Sequence, residues 1–149
     1  MQAGEICNRE VIVVERDASV REAAVLMRQY HVGDLVVVEE RAGQRAPVGI
    51  LTDRDIAIEV VAMGVDPEAL TVGEVIAPEL IIAGEKETVY DTLQRMRQHG
   101  VRRIPVVDSQ GGLAGIVSLA DLLEFLAEEL SYLSTVELRE KAREARVRK

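Results

Sequence analysis

Two stretches, Gly49-Ile-Leu-Thr52-Asp-Arg-Asp55 and Gly115-Ile-Val-Ser118-Leu-Ala-Asp121, set a hydroxyl three residues ahead of a carboxylate. That spacing supports two kinds of chemistry. In one, the hydroxyl caps a helix and the carboxylate reaches back to the cap's amide, satisfying two orphan N–H groups without a ligand. In the other, the free N–H groups and the positive end of the helix dipole attract a phosphate. The hydroxyls of Thr52 and Ser118 then bind phosphate or ribose, and Asp55 and Asp121 accept from a ribose diol, as an acidic residue does in dinucleotide folds. Spacing alone favours capping.

Arg102 and Arg103 stand just before the apolar run Ile104-Pro-Val-Val107. A guanidinium fork suits a phosphate clamp; a solvated pair of surface arginines is the plainer reading. Arg54, between Thr52 and Asp55, is either a further cation for a ligand or an exposed first-turn residue. His31 and His99 read as helix C-terminal residues favoured by the dipole. They lie at no metal-ligand spacing and join no cysteine or acidic cluster, so no metal site is expected. Cys7 reads as a small, semi-buried residue. No P-loop, Gly-x-Gly-x-x-Gly or Gly-x-Ser-x-Gly is present, and no nucleophile–base pair is visible, so catalysis is not expected.

What positions these residues is a repeat. Shifted by 69 residues, Met27-Arg-Gln29 falls on Met96-Arg-Gln98 and Val37-Val38 on Val106-Val107; shifted by 66, Gly49-Ile50 falls on Gly115-Ile116 and Asp55 on Asp121. The change of offset sits in Glu40–Pro47, which reads as a loop. Each copy opens with a β-rich run, Val11–Val14 or Leu80–Ile82. A helix follows, over about 19–30 or 88–99, headed by Ser19-x-x-Glu22 or Thr88-x-x-Asp91. Two strands come next, 35–38 with 48–51 and 104–107 with 113–117, and a second helix starts at Thr52 or Ser118.

The order β-α-β-β-α implies a parallel crossover and an antiparallel hairpin in each copy. Strands apolar at successive positions must be covered on both faces. The predicted fold class is therefore α+β: two repeats packed through their sheets with pseudo-two-fold symmetry, plus a C-terminal helix. Residues 6–62 are the first repeat, 63–75 a linker, 76–126 the second repeat and 127–149 a helical tail.

Copy one departs from copy two at the cation positions. Gly33 and Asp34 stand where copy two has Arg102 and Arg103, and Asp34 repels phosphate. Two non-equivalent clefts are expected, with the copy-two cleft the better holder of a phosphorylated ligand.

The two Gly-h-x-Thr/Ser-x-x-Asp stretches, with Gly100-Val-Arg-Arg-Ile-Pro-Val-Val-Asp108, resemble the signature of cystathionine-β-synthase (CBS) domains. The tandem over about 6–126 resembles a Bateman module. The resemblance implies a regulatory module that binds an adenine ligand between its repeats: AMP, ADP, ATP, NAD or S-adenosylmethionine. It implies Thr52, Arg54, Asp55, Arg102, Arg103, Ile104, Pro105, Ser118 and Asp121 as binding residues, with Arg102 at a position that often meets phosphate. A homodimer and an effector protein are the partners it suggests. A structural or interaction module with degenerate sites is the alternative.

The chain has 149 residues and is 48% hydrophobic and 30% charged, enough for a core and a solvated surface. Net charge is −8, against a nucleic-acid partner. One cysteine excludes an internal disulfide framework and fits a reducing cytoplasm. No basic n-region with an apolar stretch follows Met1, and no run approaches the roughly 20 apolar residues of a membrane span, so neither a leader nor a membrane role is expected. Aromatics are 3%, so an adenine ring is expected to lie on aliphatic groups. The last thirteen residues carry six basic and three acidic side chains, +3, which leaves −11 on the remainder. The preceding apolar stripe, from Leu122 to Leu133, is expected to pack on the repeats, with a solvated end beyond it. A dimer contact or docking arm is the alternative.

Overall fold

The structure, a computed structural model, describes residues 1–148. Helix α2 (Val20–Tyr30) starts at Ser19, whose Oγ accepts from Glu22 N–H at 3.0 Å while the Glu22 carboxylate accepts from Ser19 N–H at 2.8 Å. Its counterpart α5 (Val89–His99) starts at Thr88, which accepts from Asp91 N–H at 3.1 Å. Both helices end in the left-handed region, α2 at His31 and α5 at Gly100. Glycine reaches that conformation freely and histidine does so at some cost.

Each helix crosses between parallel strands, as the β-α-β order requires. Strand β1 (Val13–Glu15) pairs parallel with β2 (Asp34–Arg41), which pairs antiparallel with β3 (Gln44–Thr52). In the second copy, β4 (Ala83–Gly84), β5 (Arg103–Val107) and β6 (Leu113–Ser118) repeat that order. Two expectations need correction. The opening strand of copy two lies at 83–84, not 80–82. Ala83 pairs with Val106 as Val14 pairs with Val37, so the ladder to the central strand, not the apolar run, sets its place. The stretch Glu40–Pro47 is not a loop: β2 and β3 run through it and turn at Ala42 and Gly43, both at positive φ. Such two-residue turns match the twist of the strands.

The central strands bury both faces. Leu35 and Val37 join Ala23, Met27 and Leu51 in one core, and Ile104 and Val106 join Met96, Val117 and Leu122 in another. Val36 and Val38, which alternate with Leu35 and Val37 along β2, are buried outside these clusters, and β3 lies against β5 and β6 of the other sheet. The two sheets therefore pack face to face, with each helix layer outside.

A further device ties the copies together. Helix α1 (Ala3–Ile6) belongs to the second copy: Ala3 N–H donates to Glu87 O at 2.8 Å and Gly4 N–H to Glu85 O at 2.9 Å. Helix α4 (Val72–Val75), within the 63–75 segment, does the same for the first copy through Val72 N–H to Ala18 O and Gly73 N–H to Arg16 O. The Glu74 carboxylate accepts from Thr71 N–H, which holds its pKa below the usual carboxylate range. Gly4-Glu5 and Gly73-Glu74 are again 69 residues apart, so the likeness between the copies reaches back to these two short helices.

The exchange needs close backbone approach. A Cβ at Gly115 would stand 2.8 Å from the Asn8 carbonyl oxygen and 2.6 Å from Cys7 Sγ. Gly115→Ala is expected to cost about 1–3 kcal/mol, in the range of overpacked sites. At Gly84 nothing lies within 4 Å of an added Cβ. Thermal melts should show a Tm loss of several degrees for Gly115→Ala against a small change for Gly84→Ala; equal melts would contradict the close packing.

Between α3 (Asp53–Ile56) and α4, a π-helical turn covers Ala57–Val61. Helix α6 (Leu119–Val147) is 29 residues long. Leu122 is its buried residue, Phe125 is partly covered, and every described residue from 126 onward is exposed. The expected packing of the stripe through Leu133 is thus confined to the first two turns. No helix among the described residues is long and apolar enough to cross a membrane.

Candidate functional site

The two Thr/Ser-x-x-Asp stretches lie at strand-to-helix junctions, β3 into α3 and β6 into α6. At each junction the capping geometry is present. Asp55 N–H donates to Thr52 Oγ1 at 3.1 Å, and Thr52 N–H donates to Asp55 Oδ2 at 2.9 Å. Asp121 N–H donates to Ser118 Oγ at 3.2 Å, while Ser118 N–H and Oγ–H both donate to Asp121 Oδ2 at 2.7 Å. Each carboxylate uses only Oδ2 in these bonds. Its Oδ1 has no hydrogen-bond donor among the described residues, so capping leaves an acceptor to spare.

Two clefts open beside these junctions. The first, of about 450 Å³, has walls from Ile50, Thr52, Asp53 and Arg54 of copy one and Val101, Arg102 and Arg103 of copy two. The second, of about 260 Å³, has walls from Ile116, Ser118 and Asp121 of copy two, Val32 and Asp34 of copy one, and the segment Asn8, Glu10, Val11 and Ile12; Arg103 lines it too. Each cleft joins the helix start of one copy to the strand start of the other, as a pseudo-two-fold dictates. Backbone bonds fix both strand starts: Asp53 N–H donates to Gly33 O at 2.9 Å and Leu119 N–H to Arg102 O at 2.8 Å.

The charges of the clefts are opposite. The first sets the guanidinium groups of Arg54, Arg102 and Arg103 against the carboxylate of Asp53. The second sets Arg103 against Glu10, Asp34 and Asp121. Arg103 and Asp34, which hold equivalent positions in the two copies, form an ion pair at 3.5 Å between the repeats. Both side chains are about a third exposed, so the pair adds little to stability. Among the described residues, Arg54 and Arg102 have no carboxylate within ion-pair distance.

This grouping departs from the expected copy-two cleft. Arg102 faces the first cleft with Thr52, not the second with Ser118 and Asp121. The reason is the packing of the sheets, which turns the start of β5 toward the end of β3. Ile104 and Pro105 are buried strand residues rather than cleft wall, Ile104 on the helix side. Asp55 is held behind Thr52 by its capping bond. Sequence reasoning missed Asp53, which pairing of motif residues passes over, and the Asn8–Ile12 wall, which only the exchanged N-terminal segment brings here. Cys7 hydrogen-bonds Gly4 O at 3.6 Å and burial pushes its thiol pKa up, which fits an inert packing role. Among the described residues no group of three His, Cys, Asp or Glu side chains could hold a metal ion.

Comparison with known proteins gives the same two-fold pattern. The CBS domain family model matches the chain twice, over 3–62 and 72–128. CBS domain-containing protein YhcV of Bacillus subtilis is 42% identical over 113 residues, 76% of this chain and 76% of that protein. Protein MK0525 of Methanopyrus kandleri is 33% identical over 124 residues, and the chain covers 62% of its length. Among solved structures, PAE2072 from Pyrobaculum aerophilum, complexed with AMP, superposes with a TM-score of 0.72 at 25% identity, over 82% of this chain and 90% of that one. The CBS domain pair of MJ0100, in complex with 5′-methylthioadenosine and S-adenosyl-L-methionine, superposes with a TM-score of 0.73 at 26% identity, over 87% and 98%.

Proposed function

The chain belongs to the CBS domain family, and from that premise we propose that it is a regulatory module that senses an adenine nucleotide. The observation that carries the reading is the first cleft, where Arg102, Arg54 and Arg103 converge beside the Thr52 hydroxyl. Such a set suits a phosphate or polyphosphate, and AMP, ADP, ATP and NAD carry one. The second cleft, lined by Glu10, Asp34 and Asp121, suits a ligand without phosphate, an adenosine or a cationic S-adenosyl group. AMP in PAE2072 and the two thio-nucleosides in MJ0100 support this range of ligands. Asp121 Oδ1 is the proposed ribose acceptor of the second cleft. The output runs through a homodimer or an effector protein rather than through catalysis.

The ion pair between the repeats supplies the coupling. A phosphate competes with Asp34 for Arg103. Drawing Arg103 toward the first cleft loosens the contact between the strand starts of the two copies, and a ligand that binds one arrangement better shifts the population toward it.

A thermal-shift and calorimetry series with AMP, ADP, ATP, NAD and S-adenosylmethionine tests the reading. A ligand at 100 times its Kd adds about 2.7 kcal/mol to stability. Asp121→Ala is expected to weaken the ligand of the second cleft and leave AMP in the first cleft unchanged. No stabilisation by any of the five would favour the second reading, an interaction module, which the closed capping bonds at Thr52 and Ser118 also suit.

A further inference from the structure

Helix α6 carries an apolar face that the repeats do not cover. The matched family region ends at residue 128, while the helix continues to Val147. Leu119, Leu123, Leu126, Leu130 and Leu133 follow one another at spacings of four and three, the seam of a coiled coil. Leu123, Leu126, Leu130 and Leu133 are 58%, 45%, 66% and 67% exposed. Beside them α5 and α6 enclose an apolar groove of about 350 Å³, walled by Tyr90, Leu93, Phe125 and Leu126. The acidic residues Glu124 and Glu128 lie on the far side of the helix from the seam. Past Leu133 the seam positions become Glu137, Glu140 and Glu144, so it is two heptads long and no longer. A contiguous apolar stripe of this kind on a soluble surface marks an interaction site.

We propose that α6 is a self-association arm, its seam packing antiparallel against the same seam of a second copy of this chain. Antiparallel pairing sets Leu123 opposite Leu133 and Leu126 opposite Leu130, so all four exposed leucines of each copy are covered, and the seam ends where Leu119 meets Glu137. It also satisfies the charges. The end of the helix, with its share of +3, runs past residue 119 of the partner and over a partner body that carries −11. Parallel pairing would instead lay the two basic ends side by side. Opposite charges facing each other steer the encounter and fix the register.

Sedimentation equilibrium of the full chain tests this, with a Leu130→Glu/Leu133→Glu variant. Both side chains are exposed, so the variant keeps its fold, which circular dichroism and its Tm verify. The expected result is a wild-type mass that falls by half in the variant, with AMP affinity unchanged. A monomeric wild type well above micromolar concentration, or a variant of unchanged mass, overturns the proposal. Arg139→Gln/Arg143→Gln/Arg146→Gln reports the orientation. Antiparallel packing predicts weaker association with less salt dependence; tighter association would mean that like charges had been relieved, and overturns it.

Discussion

Arg102→Ala is expected to weaken AMP binding about 10- to 100-fold while changing adenosine binding by less than about two-fold, since a charge-assisted hydrogen bond contributes roughly 1.5–3 kcal/mol. The side chain is exposed at the mouth of the first cleft and has no ion-pair partner among the described residues, so nothing in the protein competes for it. Arg103 differs, because Asp34 already holds it at 3.5 Å. Asp34→Asn should therefore move in the other direction and tighten AMP, by freeing Arg103 and removing a carboxylate from the strand start. Calorimetry with AMP and adenosine on the two variants reads both effects. If Arg102→Ala weakens adenosine as much as AMP, the residue shapes the cleft instead of clamping a phosphate.

Leu35→Ala is expected to remove about 2–5 kcal/mol of stability, the cost of a buried leucine plus the cavity it leaves. Leu35 is completely buried against Ala23, Met27 and Leu51. It sits on a central strand with the second sheet on its other face, so the surroundings have little freedom to collapse. Against a typical total of 5–15 kcal/mol this is a large share. Urea unfolding should show a lower midpoint with an unchanged slope. A loss under about 1 kcal/mol would mean that the helix layer relaxes into the space. The residue also stands next to Asp34, so a looser β2 should blunt any effect of ligand on Arg103.

Much of the local structure was legible because its causes are local. The capping pairs at Ser19, Thr52, Thr88 and Ser118 place four helix starts to within a residue; each hydroxyl accepts the amide its spacing implies, and every carboxylate but that of Asp91, which takes the Thr88 hydroxyl instead, accepts from the cap's amide. The repeat was legible for the same reason, as the same local solutions recur at a fixed offset. What escaped was set by tertiary pairing. The hairpin at Ala42-Gly43 carries no Asn-Gly or Asp-Gly signal, and the alanine takes its left-handed conformation because two long strands demand it. The site of β4 follows from the ladder to β5. Above all, the partner of Thr52 in the first cleft is Arg102 of the other copy, a fact of how the sheets face each other that no spacing within one copy contains. The wall Asn8–Ile12 was hidden likewise, since these residues read as the start of the first repeat and nothing local shows that Asn8 bridges to Ile116 of the second.

The exchanged helices α1 and α4 have a consequence for the chain's topology. Each repeat is completed by a segment that precedes the other repeat, so the two halves are clasped in both directions. A backbone cut between Met63 and Pro67, in the exposed connection, would sever neither clasp. The two fragments would stay together as a non-covalent heterodimer, with both clefts intact. Half a chain, by contrast, lacks its own closing segment and can borrow one only from another half. The connection between the repeats thus acts as a tether that raises local concentration, and the fold is in essence a dimer of two related halves written on one chain.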